Sequence, residues 1–439
     1  MKKRIAIALI VSLALSFVWA GGATEATTEV DLSAPVTLTI WTHDDANRSV
    51  FEKELIEEFM KENPNVTVDY QTYPSGKMAE LLTVAFSAGE GPDIFNQSQS
   101  VIRQFVEEDQ VSALDPEWIG EKSIDDIINR YIPGSLDAVS KDGNIYGMPL
   151  EYTNLCVYVN KNVFKDAGLD PETDYPKTWE ELADISEKIV QRNGEIITRR
   201  GFDFRYASYY LMEMLPMVEQ LGGRLVSEDG KTAVIGDEAW LKFFSYMKEW
   251  GPNGRNLGSP TYVGVSSIMN NNDNQLAMAS SGLYQQARIR AANPEYYESG
   301  EWMVIPYPQW EDATENVTCH VSCHYYMVNG NIDEAKQIWA WRLVNFMLSH
   351  ADGYLDRCNL VQPTYSLFES ESFKSKPYSE VFKNDLEHAT LTYYSENSNA
   401  IRDKMKQAVE AVMLENKDPK TVLVDFRKQV QELLDDQNM

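Results

Sequence analysis

The sequence predicts an α/β protein built on mostly parallel sheets and folded as more than one unit. Three observations lead there. Strand-like and helix-like stretches alternate three times between residues 36 and 108, the order that lays parallel strands under helical crossovers. The 439 residues suggest two or three domains or one large one, at roughly 150 residues each. No Ser- or Pro-rich linker divides the chain, so its units are joined by a backbone that crosses between them more than once.

The elements follow in order. VTLTIW (Val36 to Trp41) is a β-branched alternating run and predicts a strand, closed by the polar loop Thr42 to Asn47. From Ser49, apolar residues recur at helical spacing (Phe51, Leu55, Phe59) until Asn63-Pro64 stops the helix. VTVDYQTY (66–73) is a second strand. Lys77 to Ala88 is a second helix closed by Gly89. Ile94-Phe95 is a short buried strand, followed by a polar loop from Asn96 to Ser100 and a helix over 101–108. Apolar strands are expected over 145–152 and 155–160. Thr178 and Glu181 have the spacing of a capping box and start a helix. Further helices are expected near 208–221, 237–249, 333–349, 397–414 and 419–435.

Composition narrows the function classes. Asp plus Glu number 67 against 39 Lys plus Arg, a net charge of −28. Such a chain repels phosphate backbones, which argues against nucleic-acid binding. Lys2, Lys3 and Arg4 precede an apolar run from Ile5 to Phe17, and Val18-Trp19-Ala20 offers a cleavage site. Residues 1–20 are therefore read as a secretory signal peptide, too short to span a membrane, with 21–33 as a flexible leader. No cysteine follows the apolar run to carry a lipid, so the expected location is periplasmic.

The four cysteines, Cys156, Cys319, Cys323 and Cys358, are too few for a disulfide scaffold. Cys319 and Cys323 sit in Cys-His-Val-Ser-Cys-His. On a strand, Cys319, Val321 and Cys323 share one face, and residues four apart lie ~13 Å from each other, too far to bridge. The spacing matches neither zinc nor haem patterns, so no metal or cofactor is expected.

Several motifs together resemble a known family. VTLTIW, FEKELIEEFMKENPNVTV and GEGPDIF look like the first lobe of extracellular solute-binding proteins of the maltose-binding type. YGMPLEYTNLCVYVNKNVFKDAGL followed by PKTWEEL is similar to that family's first crossing and the start of its second lobe. NNDNQLAMASSGLYQQARI resembles its aromatic-presenting strand and loop, and EAKQIWAWRLVNFMLS the helix after the second crossing. The similarity runs from about residue 34 to 435.

The resemblance implies a two-lobed periplasmic binding protein fold of type II, each lobe a mostly parallel sheet flanked by helices. Crossings are expected near 147–152, 318–326 and 352–363. The N-terminal lobe would hold 34–148 and 324–355, and the C-terminal lobe 149–323 and 356–439. The implied function is capture of a carbohydrate, a mono- or oligosaccharide, by hinge closure, and its delivery to the permease subunits of an ABC-type importer by a monomer. A disulfide between two crossings, which would limit the hinge, is a further hypothesis.

Sugar recognition needs bidentate polar groups for hydroxyls and a flat apolar surface for the C–H face of the ring. In open parallel sheets, ligands sit beyond the carboxyl ends of strands. That rule selects Trp41, His43, Asp44 and Asp45 after the first strand, Asn96, Gln97 and Ser98 after the third, and Glu151 with Tyr152 at the first crossing. By motif position, Asp44 and Asp45 match the family's first acidic loop, Asn96 to Ser98 its second binding loop and Glu151 its hinge acid. Tyr284, in Gly282-Leu283-Tyr284, stands where the family has the Trp of Gly-Pro-Trp. Tyr206 in the second lobe, and Tyr394 in a later loop expected to close over the cleft, are further candidates. Plainer roles stand beside these: core for Trp41, a solvated turn or helix cap for Asp44-Asp45, packing for Tyr206, Tyr209 and Tyr210.

Two other classes compete. A glycosidase would need two carboxyls flanking one bond, which Asp44, Asp45 and Glu151 have the chemistry to supply. No G-x-S-x-G, H-E-x-x-H or P-loop supports an enzyme. A ligand-presenting sensor, or a binding protein for a polyamine or amino acid, would share the fold.

Overall fold

The computed structural model describes residues 30–204, 206, 209–236, 238–260, 275–395 and 397–437. The expected signal peptide (1–20) and most of the expected leader lie outside the described residues, as do Asn271 to Asn274 of the motif around Tyr284.

Among the described residues, twelve strands form two five-stranded sheets and one small hairpin. They are β1 (Val36–His43), β2 (Val66–Tyr73), β3 (Ile94–Ser98), β4 (Ser140–Lys141), β5 (Asn144–Ile145), β6 (Met148–Thr153), β7 (Cys156–Asn160), β8 (Gln191–Asn193), β9 (Ile196–Asp203), β10 (Leu276–Ser281), β11 (Trp302–Ile305) and β12 (Ser322–Val328). The first sheet has the order β2-β1-β3-β12-β6 and the second β11-β7-β10-β9-β8. Each sheet, with its helices, makes one lobe.

Strand direction follows from how the chain crosses. In the first sheet β2, β1 and β3 run parallel, and β12 runs against both β3 and β6. In the second, β9 and β10 are parallel, and β7 runs against both β10 and β11. β7 follows β6 after only two residues, and β12 follows β11 after 306–321. A chain leaving the carboxyl edge of one sheet enters the other at its carboxyl edge, so it must run against the strands already there. The two carboxyl edges therefore face each other, and the space between them is the cleft.

The domain boundaries expected at 148/149 and 323/324 fall inside β6 and β12, both strands of the first sheet. Other expectations shift locally. Asn96, Gln97 and Ser98, read as loop, belong to β3, where β12 pairs with them. The strand around Cys-His-Val-Ser-Cys-His starts at Ser322, so Cys319 precedes it. The helix expected near 208–221 is a wide π-type turn, Tyr210–Met214, running into Leu215–Glu219. Pro216, which has no N–H to donate, marks the change. Gly222 at φ +81° then turns the chain, a conformation that favours glycine.

The cores obey the period of two. Leu38 and Ile40 of β1 are fully buried in the first lobe. Val157 and Val159 of β7 enter one core of the second lobe, while Cys156 and Tyr158 on its other face enter another. The capping box forms as expected: the Thr178 hydroxyl accepts from the Glu181 N–H, and the Glu181 carboxylate accepts from the Thr178 N–H. Among the described residues no helix is long and apolar enough to cross a membrane.

Candidate functional site

The acidic loop after β1 is held from below. Asp45 caps the helix Ala46–Glu62, its Oδ1 accepting from the N–H groups of Asn47 and Arg48. Arg48, 1% exposed, points back into the sheet. Its Nη2 donates to the Thr42 hydroxyl at 2.7 Å and the His43 carbonyl at 2.6 Å. One helical turn on, Glu52 is fully buried 3.7 Å from the Arg48 Nε. Three tyrosine hydroxyls donate to Glu52: Tyr70 at 2.6 Å, Tyr326 at 2.7 Å and Tyr354 at 3.2 Å. A buried ion pair needs such satisfied neighbours to persist. This network sets where His43 ends its strand.

Next to it, the carboxyl edge carries a second polar group. The His43 and His324 rings meet edge to face with centroids 4.9 Å apart. His324 Nδ1 lies 3.2 Å from Asn96 Oδ1, and Asn96 Nδ2 donates to the Tyr325 carbonyl. His324 is opposite Glu151 across the β12–β6 pair, where a register irregularity follows it. Glu151 is half-buried, and its Oε2 accepts from the Thr153 hydroxyl at 3.0 Å. Burial pushes the Glu151 carboxyl up, against the opposing pull of Arg48 and the Thr153 hydrogen bond. Burial, then the Arg48 charge, lowers His324 to about 3. His43 is held well below its ordinary range by burial, Arg48, His324 and Arg288. Both imidazoles are therefore neutral near pH 7, each ring able to donate at one nitrogen and accept at the other.

The second lobe answers with the segment after β10. The Tyr158 hydroxyl fixes the Gly282 carbonyl at 2.9 Å. A side chain at 282 would meet the Thr153 methyl at 2.5 Å and the Tyr284 ring at 2.6 Å, so only glycine fits between them. Tyr284 opens the helix Tyr284–Ala292 and packs against the first lobe's core. One turn on, the Arg288 guanidinium lies over the Tyr284 ring, 4.4 Å from its centroid, and reaches Asp45 Oδ2 at 3.3 Å. Burial would raise the Asp45 carboxyl, but the Arg48 N–H and the charges of Arg288 and Arg48 outweigh it and hold it low.

Of the residues expected from sequence, Asp45, Asn96, Glu151 and Tyr284 thus come together, and Asp44 lies exposed beside them with its N–H bonded to the Tyr73 carbonyl. The others are placed differently. Trp41 is half-buried against Tyr73, at 5.0 Å between rings. Gln97 is buried, its Oε1 accepting from the Ser98 N–H, and the Ser98 hydroxyl meets that of Ser100. Tyr152 alternates with Glu151, so it faces away from it and lines a cavity of about 410 Å³ with Ile132, Pro133, Phe368 and Leu386. Tyr206 is buried in the second lobe's core between Phe204 and Tyr210. Tyr394 is half-buried near Asp137 and Arg103, following Thr392, whose N–H bonds the Val321 carbonyl.

Arg48, His324 and Arg288 were not selected from sequence. Arg48 and Glu52 look there like an exposed i,i+4 pair, and only the distant tyrosines bury them. The four cysteines are all buried free thiols, so no disulfide joins the crossings. Among the described residues no group of three or more His, Cys, Asp or Glu side chains could hold a metal ion.

Known proteins share this architecture. A maltose/maltodextrin-binding domain from Bdellovibrio bacteriovorus superposes with a TM-score of 0.75 over 92% of this chain and 99% of that one, at 19% identity. A solute-binding protein of an ABC transporter from Thermotoga lettingae, solved with α-D-tagatose, gives 0.77 over 91% and 99%, also at 19% identity. These likenesses establish the two-lobed fold. An arabinooligosaccharide-binding protein of Halalkalibacterium halodurans is 24% identical over 295 residues, 64% of this chain. The chain spans about three fifths (61%) of that relative's length. Residues 45–354 match the family described as bacterial extracellular solute-binding protein, well over half of the sequence, and the chain belongs to that family.

Proposed function

We propose that this protein captures a carbohydrate between its lobes without catalysis and delivers it to the permease subunits of an ABC-type importer. The observation that carries the reading is a polar patch on the first lobe's carboxyl edge with a second-lobe aromatic packed against the same lobe. Glu151, His43 and His324 supply donors and acceptors on the first lobe, with His324 held from behind by the buried Asn96, and Tyr284 supplies a ring from the second. That combination suits sugar hydroxyls and the apolar face of a pyranose or furanose. The arabinooligosaccharide-binding relative supports the same class of ligand.

The acids of the site are engaged in structural contacts. Asp45 caps a helix and pairs with Arg288, and Glu151 accepts from Thr153. This supports binding over hydrolysis. Export by the segment 1–20, a periplasmic location, monomeric state and hinge closure on ligand complete the proposal. Lobes split as in the sheets, with crossings at 154–155 and 306–321 and the third expected near 352–363, are the proposed moving bodies.

The test is a thermal-shift screen of the mature protein against pentose and hexose oligosaccharides, monosaccharides, polyamines and amino acids. A ligand at 100 times its dissociation constant adds about 2.7 kcal/mol to stability. A shift with a sugar and with none of the amines supports the reading. A shift with an amine or amino acid alone replaces the ligand class.

A further inference from the structure

Asp45 and Arg288 come from opposite lobes. Asp45 ends the loop after β1 in the first, and Arg288 rides the helix after β10 in the second. Each has a second engagement that fixes its position. Asp45 Oδ1 is committed to the helix cap, leaving Oδ2 free to turn toward Arg288. The Arg288 guanidinium lies flat over Tyr284, a cation–π arrangement that orients both groups. Beneath them Gly282 admits the ring edge against Thr153 of the first lobe. The ion pair therefore joins the first lobe's acidic loop to the second lobe's aromatic across the cleft.

We infer that Arg288 is an interlobe clamp, a positioning residue that biases the lobes toward closure before ligand arrives and holds Tyr284 in place when they close. The ligand role of Tyr284 rests on the function proposed above; the clamp itself does not. The Asp45 and Arg288 side chains are 23% and 39% exposed, so salt screens their attraction. A two-state balance between open and closed lobes needs only a small bias to change its populations, so a modest pair is sufficient. The clamp makes closure of the empty protein weaken as ionic strength rises.

The experiment reads lobe separation without ligand. All four native cysteines are buried, so spin labels can be placed at Val84→Cys and Ile196→Cys, exposed positions in the first and second lobes. Distances are measured by pulsed electron resonance in the full mature chain at low and high salt. Asp45→Asn keeps the capping oxygen and removes the charge; Arg288→Gln removes the cation. The clamp predicts that the wild-type distribution moves to longer distance at high salt. It also predicts that each variant is already long at low salt, and that the double variant matches the singles. Distributions unchanged in Asp45→Asn, or a double variant that sums two separate shifts, would overturn it. If Arg288→Gln does not fold, Asp45→Asn alone decides. Absence of sugar binding in the separate screen would leave this result standing.

Discussion

His43 and His324 meet edge to face at 4.9 Å on the carboxyl edge of the first sheet, and neither is free to take a proton. Burial and the Arg48 charge are responsible. Both rings are therefore neutral near pH 7.

That neutrality has a stability consequence. An unfolded histidine takes its proton near pH 6.5, whereas His324 in the folded chain waits until about 3. Between those values the unfolded state binds more protons, so stability falls as pH drops through the window and is fully present above 6.5. At pH 5 the loss through His324 alone is at most about 2 kcal/mol. His324→Gln should flatten the fall in urea-unfolding free energy between pH 7 and pH 5. A slope equal to wild type would show that His324 titrates normally.

Glu52→Gln should be among the costliest single changes in the first lobe. It leaves Arg48 buried without its partner, which costs about 3–5 kcal/mol. Tyr70→Phe removes one hydrogen bond to the same carboxylate and should cost less, about 1.5–3 kcal/mol. Denaturant unfolding of the two variants checks the order.

Gly251 ends the helix Glu238–Trp250 against the chain at Met413. A Cβ there would lie 2.2 Å from the Met413 carbonyl oxygen, which is backbone and cannot swing aside. Gly251→Ala should destabilise the second lobe by about 1–3 kcal/mol. A melting temperature within a degree of wild type would mean the helices part easily.

Thiol titration should find four reactive cysteines in the unfolded chain and slow reaction in the native one. Burial raises the thiols of Cys156 and Cys323 well above their ordinary range and Cys358 to about 12. Reducing agent should leave the melting temperature unchanged. Two titratable thiols in the unfolded, unreduced protein would instead reveal a disulfide.

Much of this fold was legible because local signals agree with it. Leu38 and Ile40 alternate with polar neighbours as a half-covered strand must, and the spacing of Thr178 and Glu181 announces the helix they cap. Glu151 stands out in the sequence because a carboxylate between apolar strands needs a reason to be there, and the structure places it opposite His324. Arg48 does not stand out, since Tyr326 and Tyr354 reach Glu52 from 274 and 302 residues away. Nor does Arg288, whose partner lies 243 residues earlier and in the other lobe. Tyr152 was misjudged for a simpler reason. It neighbours Glu151 in sequence, and on a strand that places it on the opposite face.

Titration calorimetry of the mature protein with arabinose and maltose oligosaccharides tests carbohydrate capture most directly. Saturable one-to-one binding of at least one carbohydrate is expected, weakened at least about tenfold, or about 1.4 kcal/mol, in both Glu151→Gln and Tyr284→Ala. Tight binding that survives both substitutions would move the site elsewhere. Binding of a polyamine or amino acid with no heat from any carbohydrate would contradict carbohydrate capture outright.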